Sequence, residues 1–82
     1  MRKKELEQRL ITEEIPKNWY WLNGGFPNEA LCLNIQGGLW EVYYSEKGLK
    51  TSLKQFESEE DACEYFYNLI KEYKERQSKY RK

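Results

Sequence analysis

Residues 30–45, ALCLNIQGGLWEVYYS, restrict the fold more than any other stretch. Leu31, Leu33 and Ile35 alternate with Cys32 and Asn34, and Trp40, Val42 and Tyr44 alternate with Glu41, Tyr43 and Ser45. A period of two is the mark of a strand with one apolar face. Gly37-Gly38 lies between the runs, and the positions of a two-residue hairpin turn favour positive φ. A lone hairpin is marginal in water, so the rest of the chain must add strands or cover the apolar face with a helix.

Both are legible. SEKG at 45–48 marks a second turn, and LKTSLKQF at 49–56 reads as a weaker strand. Its Lys50 and Lys54 share a face with Ser52 at period two, which suits an edge that must not aggregate. Ser58 is a helix N-cap, with Asp61 three residues on and Glu59, Glu60 and Asp61 in the first turn, where the helix dipole favours negative charge. Ala62, Phe66, Leu69 and Tyr73, with Cys63 and Ile70 beside them, form an apolar stripe that can cover a small sheet. The reading is a helix over 58–78 and a basic tail beyond.

Upstream, 2–14 reads as a helix with Leu6, Leu10 and Ile11 as its stripe. Its charges run basic to acidic, against the dipole, so it must depend on packing. Pro16 ends it. NWYWL at 18–22 reads as extended, and NGGFPN at 23–28 as a turn. The expected architecture is α+β, one domain over 1–82. An N-terminal helix precedes a three- to four-stranded antiparallel meander over 18–56, and a long C-terminal helix lies across the sheet.

Composition narrows the function. Fourteen basic and fourteen acidic residues cancel, which argues against a polyanion binder. There is no histidine, the commonest general base and metal ligand. Neither glycine pair fits a phosphate-binding loop. No carboxylate pair is placed as a glycosidase needs. An enzyme is therefore not expected, nor a cofactor or a metal. Cys32 and Cys63 each lie in an apolar pattern and read as free, buried thiols in a reduced cytoplasmic protein. No segment reaches the roughly 18 apolar residues that span a membrane.

The candidate contact residues are polar or aromatic positions without a core role. Glu57, Glu59, Glu60, Asp61 and Glu64 cluster with no base among them. Capping explains part of the cluster, and an acidic surface for a basic partner is the sharper reading. Glu41, Tyr43 and Glu46 fall on the phase opposite the apolar face or at a turn. Tyr43 therefore reads as an outward aromatic flanked by carboxylates, a plausible anchor. Trp19, Trp21, Trp40, Tyr43 and Tyr44 could instead offer stacking faces to single-stranded nucleic acid, although few lysines accompany them.

Three strings together, GGFPNEALCL at 24–33, WEVYYSEKG at 40–48 and FESEEDACEYF at 56–66, carry a resemblance. They resemble the immunity proteins of bacterial polymorphic toxin systems, and also stand-alone proteins of unknown function, over roughly residues 18–70. The resemblance implies a non-catalytic protein that blocks a cognate protein toxin by binding it. Clustered carboxylates would suit a toxin with a basic active site. In that pattern Asn28-Glu29 follows the glycine turn: Asn28 is expected to bond back to the backbone, and Glu29 either pairs with a lysine or faces the partner. The partner-binding candidates are thus Glu29, Glu41, Tyr43, Glu46, Glu59 and Glu60. The alternatives are a single-stranded nucleic-acid-binding domain and a regulatory adaptor.

Overall fold

The central hairpin forms as its pattern requires, and Gly37 and Gly38 both take positive φ. The computed structural model of the chain describes the backbone of residues 1–80 and the side chains of residues 1–77. Its elements are α1 (Lys3–Thr12), a 3-10 turn (Lys17–Trp19), β1 (Tyr20–Trp21), β2 (Ala30–Gln36), β3 (Leu39–Glu46), β4 (Leu49–Phe56) and α2 (Glu59–Tyr80). The fold is α+β, with α2 lying on the sheet as the apolar patterns require. Of the basic tail, Arg81 and Lys82 lie outside the described residues.

The sheet order is β1-β2-β3-β4. Strands β2, β3 and β4 form an antiparallel meander, but β1 pairs with β2 in parallel, Tyr20 beside Leu31 and Trp21 beside Cys32. The sheet is therefore mixed at one edge. The connection from β1 loops out and returns, so β2 starts level with β1 and runs the same way. The β4 strand departs from simple alternation as well. A register shift between Val42 and Tyr44, with Ser52 at φ 54°, pairs Lys54 with Val42 but Lys50 with Ser45. An extra residue in a strand turns its side chains over. Lys50 and Lys54 thus stand on opposite faces, not on the shared face that the sequence suggests.

The core lies between the sheet and both helices. It joins Leu6, Leu10, Ile15 and Leu22 with Leu31, Leu33 and Val42 of the sheet, and Ala62, Cys63, Phe66 and Ile70 of α2. The stripe on α2 is centred nearer Cys63 and Ile70 than its sequence suggests, with Leu69 and Tyr73 at its half-buried margin. Ile11 is exposed, and Ile15 takes its place in the core after Glu14, at φ 57°, ends the helical geometry of α1.

The adverse dipole of α1 is offset by α2. Glu59 accepts a hydrogen bond from the Lys3 backbone N–H at 2.8 Å and pairs with Arg2 at 3.5 Å. At the other end Lys74 donates to the Glu13 carbonyl, and the Tyr67 hydroxyl bonds the Glu13 carboxylate. A carboxylate thus meets the N-terminus of α1 and an ammonium its C-terminus, which is the favourable sense. Ser58 caps α2 as expected, its Oγ accepting from the Asp61 N–H at 3.0 Å.

Candidate partner-binding cleft

Where the end of β3 meets the last turns of α2, a cleft of about 450 Å³ opens to solvent, lined by Asn18, Trp19, Glu29, Tyr44, Tyr73 and Gln77. Each wall has a local cause. Helix α1 has already ended at Thr12, short of the Pro16 stop that the sequence suggests; Pro16 instead opens the 3-10 turn, and the Trp19 N–H donates to its carbonyl at 3.0 Å, closing the turn that holds Asn18 and Trp19. Tyr44 stands on the helix-facing side of β3, paired with Leu31, and its carbonyl accepts from the Thr51 hydroxyl at 3.0 Å. Tyr73 and Gln77, four apart on α2, share one helix face. Glu29 precedes β2 in the left-handed region, at φ 52°.

The cleft is aromatic in its walls and negative in its field. Burial raises the Tyr44 hydroxyl pKa above the usual phenol value, and Glu29, Glu46 and Tyr73 raise it further. Glu29 and Glu46 are both exposed; Glu29 lines the cleft, and Glu46, two residues beyond Tyr44 at the end of β3, lies outside its lining but acts on the same tyrosine.

The other candidates sit elsewhere. Tyr43 does point away from α2, as its phase predicts, but it is 0% exposed. Its hydroxyl donates to the Gly25 carbonyl at 2.7 Å, and the Lys50 ammonium lies 4.8 Å from its ring centroid. The NGGFPN loop folds back over this face, so Tyr43 is interior and not the outward anchor expected. Burial, with Cys32 and Glu41 adding to it, pushes its pKa up to about 12. Glu41 is 5% exposed and holds Asn34 and Lys50 at 3.1 Å each and Gln55 at 3.4 Å. Burial raises its pKa, but the bonds from Asn34, Lys50 and Gln55 outweigh that, and the net value falls below the usual carboxylate range. It is a structural ion-pair centre, not a rim charge.

Glu59 is taken up by the start of α1. Glu60 is exposed at the first turn of α2, thirteen residues before Tyr73, about 20 Å away at the helical rise. The acidic helix start and the cleft are therefore separate surfaces. Among the described residues Asn28 makes no side-chain hydrogen bond; the loop is held by Tyr43 on Gly25 and by the Gly24 N–H on the Leu33 carbonyl at 3.0 Å.

The aromatic residues singled out for stacking also separate. Trp19 and Tyr44 line the cleft, Trp21 is exposed on β1, Trp40 is packed against the core and Tyr43 is interior. Tyr73 and Gln77 were not legible as cleft residues. The only hint was that the α2 stripe stops at Tyr73, an amphipathic residue whose ring can line a wet surface.

No protein-family model, curated protein or solved structure matches this chain, and the chemistry of the cleft follows from its own residues.

Proposed function

We propose that the protein is a non-catalytic binding module that neutralises a cognate protein toxin in the cytoplasm by direct contact. The observation that carries the reading is the cleft itself: Trp19, Tyr44 and Tyr73 form its walls, and Glu29 forms its rim. Rigid aromatic side chains beside a pocket are the residues that anchor protein interfaces. The nearby carboxylates favour a basic partner and repel phosphate, which supports a protein over a nucleic acid. The segmental resemblance to immunity proteins supplies the toxin as the partner class.

The test is co-expression with any toxin-domain protein encoded beside it. Host survival that depends on the intact chain supports the reading. Micromolar, salt-sensitive binding of single-stranded RNA in a filter titration, without rescue from any neighbouring toxin, overturns it.

A further inference from the structure

We propose that the Trp19–Tyr44–Tyr73 cleft is a receptor for one arginine side chain projected by the partner protein, with Glu29 as its counter-ion. The inference rests on the binding-module reading and adds the chemistry of what enters the cleft.

Three features of the cleft fit a guanidinium. Trp19, Tyr44 and Tyr73 line the cleft, and the faces of such rings attract a flat, weakly hydrated cation. Glu29 can accept two parallel N–H bonds from the planar fork, which an ammonium cannot supply. Asn18 and Gln77 add side-chain carbonyl oxygens for the remaining donors, since guanidinium has five N–H groups and no acceptor. The potential at the cleft has the matching sign, because Glu29 and Glu46 both raise the Tyr44 pKa.

Glu29 itself adds a second line of argument. At φ 52° it occupies a conformation that costs an L-residue about 1–2 kcal/mol and costs glycine little. Its carboxylate is exposed, and it makes no hydrogen bond or salt bridge among the described residues. The fold gains nothing visible from a glutamate there, whereas a cation in the cleft would.

The experiment is a titration followed by the Trp19 indole N–H and the backbone signals of Glu29, Tyr44 and Tyr73 in a ¹⁵N-labelled sample. The probes are the capped tripeptide Gly-Arg-Gly, its citrulline and lysine counterparts, and free L-arginine. Saturable shifts at all four positions with the arginine peptide are expected. Citrulline, the neutral isostere, should bind at least about tenfold more weakly, the scale of a hydrogen bond to a charged group. Lysine should also be weaker, and free arginine should bind no tighter, since its α-ammonium and α-carboxylate cancel in the field of the cleft and it lacks the flanking peptide groups.

Glu29→Gln should weaken the arginine peptide about tenfold. Glu29→Gly should do the same while melting no lower than the parent, because the relief of about 1–2 kcal/mol of left-handed strain exceeds the about 0.4–1 kcal/mol that a more flexible unfolded chain takes back. No saturable shift, equal binding of citrulline, tighter binding of lysine or free arginine, or indifference to both Glu29 variants would each overturn the inference. Host rescue is a separate readout. Rescue that survives Glu29→Gln removes the arginine receptor but leaves toxin neutralisation standing, whereas arginine binding without rescue from any neighbouring toxin does the reverse.

Discussion

Gly24→Ala probes whether the Gly-Gly turn is clamped by the sheet or merely turns. Gly24 is buried at φ +70°, and a Cβ there would meet Asn34 Oδ1 at 2.4 Å and its Cγ at 2.9 Å. Gly25, at φ +89°, has open space around the same position and is the internal control. An L-residue in the left-handed region costs about 1–2 kcal/mol, and the stiffer unfolded chain returns about 0.4–1 kcal/mol. Gly25→Ala should therefore cost about 1 kcal/mol.

Gly24→Ala carries that cost and the collision. Asn34 can escape only by turning its amide away, which breaks its 3.1 Å bond to the Glu41 carboxylate. A hydrogen bond to a charged group contributes about 1.5–3 kcal/mol, so the variant should lose about 3–4 kcal/mol in all. The gap between the two alanine variants is then about 2 kcal/mol, or about 2 M in urea midpoint at a slope of about 1 kcal/mol/M. Equilibrium urea unfolding followed by tryptophan fluorescence measures it. Coincident midpoints would show that Asn34 gives way without loss, and the clamp argument would fail.

Truncating the interior should be severe on both faces of the sheet. Phe66→Ala and Tyr43→Ala should each cost about 3–5 kcal/mol and leave little folded protein, read by circular dichroism; a native melt for either would misplace that face of the core. Both cysteines are buried and free, and burial above all pushes each thiol pKa up to about 11. A maleimide should label native protein slowly at pH 8 and denatured protein fully, and rapid native labelling would contradict the burial. The folded-state pKa of Glu41 is depressed below 4.5, so its stabilising contribution is complete above that pH and fades as pH falls through the folded value. The stability gap between the parent and Glu41→Gln should accordingly be widest near neutrality and close on acidification. A gap that persists at pH 2 would mean that the loss is steric.

The sequence by itself determined the elements and most of their order. A strict period of two across Leu31–Ile35 and Trp40–Tyr44, with Gly37-Gly38 between, admits little besides a hairpin, because those signals are local. The capped start of α2 is local in the same way. The apolar phase likewise decided which side of the sheet meets α2, as Leu31, Leu33 and Val42 show.

What only the tertiary structure decided is everything that depends on a second segment arriving. The bulge at Ser52 separates Lys50 from Lys54, and no period-two count sees an inserted residue. The opposite face of the hairpin reads as wet because Glu41 and Ser45 are polar, yet the loop at Gly25 and Lys50 close over Tyr43; hydrogen bonds satisfy Tyr43 and Glu41 there, while the buried Ser45 hydroxyl has no partner among the described residues. Glu59 reads as a free surface charge until α1 lays its N-terminus against it. The cleft draws on four segments of the chain: strand pairing brings Asn18–Trp19, Glu29 and Tyr44 together, and Tyr73–Gln77 joins them only when α2 crosses the sheet. Pattern in a sequence reports which face of an element is apolar, and it takes the packing of distant segments to say which polar face stays open to a partner.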